Sequence, residues 1–363
     1  MYFGYSDDER ILGDAISELF RRHAPISEVR KVIDTPVVSA ELHNAIGEQG
    51  LLGVLAHNGS VYENVLMANA VLEQAGRALL PFPLVEGIIA AYFLSKDEAK
   101  ASLYEQTVAG DQLVTIAWHA HGATRLEKTD GNWLANGSFY AAPFAASADK
   151  IMAFFQGPEP ETKTLVILDR NDPAVSVIAE KCMDLSMPLD RVEVVNLTVT
   201  DDDILIGVGK GEELWQEAMQ LGALFTAAEL SGLSDEALKN TVEYTKIRKQ
   251  FGQEIGKFQA LKHMAAEMFV LAESTRVAVI YAAWALEAGT EPEAVSIAKA
   301  YASDAANEIT GQAIQMHGGI GYTWESDLHL YFKRARRSSS AFGDAYAHRE
   351  KLLDAITRSS KGG

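Results

Sequence analysis

The chain has 363 residues, 48% of them hydrophobic, which is enough for two or three packed units with a sizeable core. Its 50 acidic against 32 basic residues leave a net charge of −18, a balance that repels nucleic acid and anionic membrane surfaces. Cys182 stands alone, which excludes an internal disulfide and a cysteine-based metal cluster, and no apolar run reaches the roughly 18–20 residues of a membrane span. With no basic start followed by an apolar stretch, the chain reads as cytoplasmic, with no membrane partner and no bound metal.

The first predicted helix begins behind Ser6-Asp7-Asp8-Glu9, an S-x-x-E capping box ahead of the spacing Ile11, Leu12, Ile16, Leu19, Phe20. A second is predicted over 39–49, closed by Gly50, and a third from Val61 to about Leu79, stopped by Pro81-Phe82-Pro83. Val85–Leu94 is an almost unbroken apolar run, as in a helix buried on most sides. Near Asp111 the texture changes. Gln112–Trp118, Lys150–Phe155, Thr164–Leu168 and Arg191–Val199 are β-branched and aromatic and read as strands. From Gly209 long helical patterns return over Glu212–Ile247, Phe258–Ala288 and Glu291–Met316, with a shorter one near the end. The expected fold is mainly α with a central β domain: a helical domain over 1–111, a β domain over 112–205 and a helical domain over 206–363.

Two motifs fall at helix junctions. Arg248-Lys-Gln-Phe251-Gly252-Gln-Glu-Ile255-Gly-Lys-Phe258-Gln259 joins two long helices; its plain reading is a link with Gly252 as C-cap. Gln315-Met-His-Gly318-Gly319-Ile-Gly321-Tyr322 is a glycine turn whose amides suit a diphosphate, though the G-x-G-x-x-G spacing and a preceding strand are both missing. His119 and His121 lie too far from other ligand types to suggest a metal.

In this order, R-K-x-F-G-x-x-I-x-x-F-Q and Q-x-x-G-G-x-G-Y resemble the C-terminal domain of the acyl-CoA dehydrogenase family, and the helical, β, helical order agrees along nearly the whole chain. The resemblance implies an N-terminal helical domain, a middle β-barrel or sheet domain and a C-terminal four-helix bundle. It also implies FAD, whose ADP half is held by a neighbouring subunit. By that resemblance Arg248 pairs with the pyrophosphate, Phe251 packs near the flavin or adenine, and Gln259 adds a hydrogen bond. Gln315, Gly318 and Gly319 contact the same diphosphate region. A guanidinium fork and free N–H groups suit phosphate oxygens on physical grounds as well.

The resemblance also shows what is missing. The family's base is a glutamate followed by glycine, 24 positions after the first glycine of the pair; here Phe342 stands there, followed by Gly343. Another branch takes its glutamate 26 residues before the motif arginine, where this chain has Gly222. Glu229, two helical turns on, and Asp344 are the fallback carboxylates; the plain alternatives are a solvated glutamate and a turn residue. His348, beside Arg349-Glu350, reads as helix surface, and Lys333–Arg337 as a solvated face or an interface salt-bridge set. In the β domain, Trp118–Arg125 lacks the family's T-E-x-x-x-G-S, and Asn136–Pro143 puts Ala141 and Pro143 at the Trp and Thr of N-G-x-K-x-W-I-T.

The losses fall on the isoalloxazine and substrate side, while the motifs for ADP survive. That asymmetry resembles the non-catalytic subunit of the heterotetrameric α2β2 acyl-CoA dehydrogenases of bacterial steroid side-chain degradation, in which a related partner carries the glutamate. A self-sufficient homotetrameric dehydrogenase or oxidase using Glu229 or Asp344, and a non-redox scaffold of the same fold, are the competing expectations.

Overall fold

The computed structural model describes residues 4–58, 61–129, 131–159 and 161–361. Helices come first: α1 (Asp7–His23), α2 (Ile26–Asp34), α3 (Ala40–Glu48), then, after the short strands β1 (Ala56–Asn58) and β2 (Val61–Glu63), α4 (Val65–Arg77), α5 (Leu84–Leu94) and α6 (Ala101–Ala109). Strands follow: β3 (Val114–Ala117), β4 (His119–Ala120), β5 (Arg125–Thr129), β6 (Asn132–Pro143), β7 (Lys150–Gln156), β8 (Lys163–Asp169), β9 (Val175–Ala179), β10 (Leu189–Val199) and β11 (Ile204–Leu205). The last part holds α7 (Gly211–Ile247), the hairpin β12 (Lys249–Gln250) and β13 (Gln253–Glu254), and α8 (Gln259–Glu287), α9 (Ala294–His317), α10 (Leu328–Ser340) and α11 (Ala345–Lys361).

Local chemistry sets several of these boundaries. The expected capping box forms at the start of α1: the Glu9 amide donates to Ser6 Oγ and the Ser6 amide to Glu9 Oε2. The predicted helix from Val61 begins only at Val65, because Asn64 takes φ +64 and Val61–Glu63 is extended. α5 is buried along its whole length, as its sequence implies.

The chain forms two compact units, one from residues 1–27, 58–80 and 222–363, the other from 28–57 and 81–221. In the first, α9 lies among α8, α10 and α11, and its small residues (Ala298, Ala302, Ala305, Ala306, Ala313) let those helices approach. α4 and α7 meet backbone to backbone. A methyl group on Gly76 would lie 1.9 Å from the Glu229 carbonyl oxygen, and one on Gly232 would lie 1.8 Å from that of Glu73. Within the predicted basic run, Arg334 is not solvated: it is 3% exposed, and its guanidinium donates to the carbonyls of Leu79 and Leu80 at 3.4 and 3.3 Å, which end α4's chain path. α8 has the length and mean hydropathy (1.4) of a membrane-crossing helix, and it packs along α9 and α4.

The second unit holds the β domain. β4, β6, β10 and β9 form one sheet in that order, with β5 also paired to β6; β11, β8, β7 and β3 form the other, in which β3 and β7 run parallel. Phe139 of β6 and Phe155 of β7 meet edge to face at 4.9 Å between ring centres, part of the core shared by the sheets.

Candidate functional site

The junction after α7 is a tight hairpin rather than a plain helix link. Lys249 pairs with Glu254 and Gln250 with Gln253, and the tip residues Phe251 and Gly252 take φ +52 and +79. Two left-handed residues at a two-residue tip match the twist of the flanking strands, but a phenylalanine there is unusual. Its side chain is 92% exposed, and it meets the Phe258 ring edge to face with centres 6.0 Å apart. The hairpin is tied down by the Arg248 carbonyl, which accepts from the Ile255 amide at 2.8 Å, and by Glu254, whose hydrogen bond from Lys257 holds its carboxyl down at about 2. Arg248 and Gln259 are both exposed.

At the far end of α9, Gly318 (φ +62, ψ −143) ends the helix, and a short 3-10 turn runs to Tyr322. That backbone conformation is open only to glycine. The space beyond the α-carbons of Gly318 and Gly319 is clear to 4 Å, whereas a side chain on Gly321 would strike the Ile314 carbonyl at 2.7 Å. The turn therefore folds back on its helix at Gly321 and presents uncovered backbone at Gly318 and Gly319, with Gln315 exposed beside them. Tyr244, one turn before Arg248, stacks on His317 with ring centres 4.0 Å apart and planes at 19°, and its hydroxyl donates to the His317 carbonyl at 3.4 Å. The stack brings the two motifs together. A guanidinium and open glycine backbone each suit a diphosphate, and an exposed ring suits the rings that flank one.

A second constellation surrounds residue 342. After α10, Phe342 (φ +56) and Gly343 (φ +98) make a left-handed turn into α11. Phe342 is 5% exposed, and its ring lies over Gly222: a methyl group there would sit 2.2 Å from the ring's Cε1. The two positions counted for the family's carboxylate thus face each other, and neither carries one. Of the fallback residues, Asp344 is exposed and caps α11, accepting from the Ala347 amide at 2.8 Å. Glu229, expected to be solvated, is 8% exposed, buried where α7 presses on α4.

His348 corrects the surface reading. It is 2% exposed; Nε2–H donates to the Phe342 carbonyl at 3.1 Å, and Nδ1 accepts from Ser296 Oγ at 3.0 Å. Burial, with Lys351 and Lys299 nearby, pushes its pKa down to about 4. The folded value thus lies below the ordinary 6.5, so this contribution is complete above about 6.5 and is lost as pH falls toward 4. Urea unfolding at pH 7 and pH 4.5 is expected to show about 2 kcal/mol of acid destabilisation that His348→Gln removes.

Lys299, also missed, is wholly buried; burial pulls its ammonium down to about 7, with Asp344 opposing the shift. A spacing signal for it existed: Ser296, Lys299, Ser303 and Asn307 are the polar steps of one face on an alanine-rich helix.

In the second unit, Asn136–Pro143 departs from the expected pattern in backbone as well as side chain. Tyr140 and Ala141 bulge opposite Arg191, and Ala141 takes φ +55, a conformation that a large side chain tolerates poorly. Trp118 is buried and donates from Nε1 to the buried Glu86 at 3.1 Å.

The family described as "Acyl-CoA dehydrogenase, C-terminal domain" matches residues 209–357. Acyl-CoA dehydrogenase IpdE2 of Mycolicibacterium smegmatis is 28% identical over 346 residues, covering 93% of this chain and 95% of that protein. The ChsE4-ChsE5 complex from Mycobacterium tuberculosis superposes with a TM-score of 0.88 at 21% identity, over 98% of this chain and 99% of its counterpart. A variant of the Tcur3481-Tcur3483 steroid ACAD does so with a TM-score of 0.85 at 23% identity, over 98% and 99%. The fold is the acyl-CoA dehydrogenase fold: N-terminal helices, a middle sheet domain and a C-terminal helical domain.

Proposed function

Because the chain belongs to the acyl-CoA dehydrogenase family, we propose that it is the base-free subunit of a heteromeric enzyme, holding the ADP half of FAD for a related partner chain that supplies the catalytic glutamate. The observation that carries this reading is the Phe342 ring against Gly222: a phenyl group can take no proton, and it fills the space that a side chain at 222 would need. Arg248, Phe251, Gln259 and Gln315, with the open backbone of Gly318 and Gly319, stay exposed and suited to phosphates and rings.

FAD, when bound, supplies the hydride acceptance for α,β-dehydrogenation of an acyl-CoA thioester. This chain's share is to neutralise the diphosphate charge and fix the nucleotide's position. Two relatives by fold are named as pairs of components, ChsE4-ChsE5 and Tcur3481-Tcur3483, which supports a heteromer, taken here as α2β2; the second is named a steroid ACAD, which supports a steroid-type substrate. The self-sufficient alternative loses Asp344 to its capping role.

The test is purification alone and with a co-expressed related partner. The lone chain should be colourless and inactive toward acyl-CoA, and the complex should carry two FAD per four chains. Four FAD per four chains, or turnover by the lone chain, would overturn the proposal.

A further inference from the structure

The turn that carries Phe342 leads from the last turn of α10 into α11, and the carbonyl oxygens of Ser338, Ser339, Phe342 and Gly343 along it are taken by side chains. Lys299 Nζ lies 3.1 Å from the Ser338 carbonyl, 3.0 Å from that of Ser339, 3.2 Å from that of Gly343 and 3.0 Å from Ser303 Oγ, so its three N–H groups face four oxygens. Ser303 Oγ also donates to the Ser339 carbonyl at 3.3 Å, and Asn307 Nδ2 to Ser339 Oγ at 3.0 Å. His348, held by Ser296, takes the Phe342 carbonyl. Ser338 and Ser339 lie in the last turn of α10, whose carbonyls have no partner within the helix, and a cation suits that end of a helix. A lysine this deep normally faces a carboxylate, because burying its charge is costly. Here backbone carbonyls make the direct contacts, and the Asp344 carboxylate acts on it without a direct bridge. Gly343 fits the same contact: a side chain on it would come within 3.1 Å of His348 Nε2.

We propose that Ser296, Lys299, Ser303, Asn307 and His348 form a positioning ladder that fixes the 338–344 turn through its backbone, and so sets where residue 342 meets Gly222 whatever side chain residue 342 carries. The ladder's hydrogen bonds to the turn go to main-chain oxygens and the Ser339 hydroxyl. The turn is therefore a preformed mount, and it stands independently of the functional proposal above.

The test uses the full chain labelled with 4-fluorophenylalanine, with the residue-342 resonance assigned by its loss in Phe342→Leu. Amide exchange is followed at 338–344, with α1 as reference. Lys299→Met is expected to shift or broaden the 342 resonance and to speed exchange of the turn by about tenfold or more, the loss of one or two buried hydrogen bonds, while α1 is unchanged. Phe342→Leu is expected to leave exchange of the turn within about threefold. Two results would overturn the proposal: a turn and a resonance unaltered in Lys299→Met, or a turn opened as far by Phe342→Leu, which would make the ring the anchor. Should α1 also exchange in Lys299→Met, Ser303→Ala and His348→Gln each remove one rung. A few-fold faster turn in both then supports the ladder, and no change in either sinks it.

Discussion

Replacing Arg248 with alanine is expected to weaken FAD retention by the proposed heteromer by about 10- to 100-fold, the usual worth of charge-assisted hydrogen bonds to a phosphate. The fold should not notice. Arg248 is exposed, and its structural duties are carried by its backbone, whose amide donates to Tyr244 and whose carbonyl accepts from Ile255. Lysine at the same place keeps a charge but loses the planar fork, so it should recover only part of the affinity. Gly319→Ala is the companion test. Its methyl group would enter clear space, so folding should be unaffected, while the approach of a diphosphate to the amide would be obstructed. Flavin content after gel filtration, with thermal unfolding as the control, reads both. If Arg248→Ala and Gly319→Ala both keep full flavin, the ADP half is held elsewhere.

What was legible in the sequence follows the physics of each signal. The long helices and the main strands announce themselves by apolar period and β-branched runs, and the start of α1 by its capping box. The hairpin after α7 is hidden, because a phenylalanine at φ +52 is a poor turn residue by every local preference. The two motifs proposed for the diphosphate could be found as strings, but the Tyr244–His317 stack that joins them depends on the packing of α7 against the end of α9. Charge type misleads at Glu229, Lys299, Arg334 and His348. Each is buried, and side-chain polarity alone assigns such residues to the surface. The contact between positions 222 and 342 is a fact of packing; each position was picked out by its place in a motif, and neither count implies the other.

That contact gives the second large effect, and its sign depends on the partner residue. Gly222→Ala is expected to cost about 2–3 kcal/mol or more, since its methyl group would overlap the Phe342 ring in a closely packed place. Phe342→Ala is expected to cost about 3–5 kcal/mol, as for other buried aromatic truncations. The double variant should be better than the sum. Without the ring, that overlap is gone, and alanine at 222 gains about 0.5–1 kcal/mol over glycine inside a helix. Urea unfolding of the four proteins measures the coupling. A large interaction, with Gly222→Ala turning from destabilising to neutral or favourable in the Phe342→Ala background, means that ring and glycine are one device. The aromatic ring then excludes a side chain, and so a carboxylate, from position 222, while residue 342 itself offers none. Equal costs in both backgrounds would show that the ring yields, leaving position 222 able to take a base.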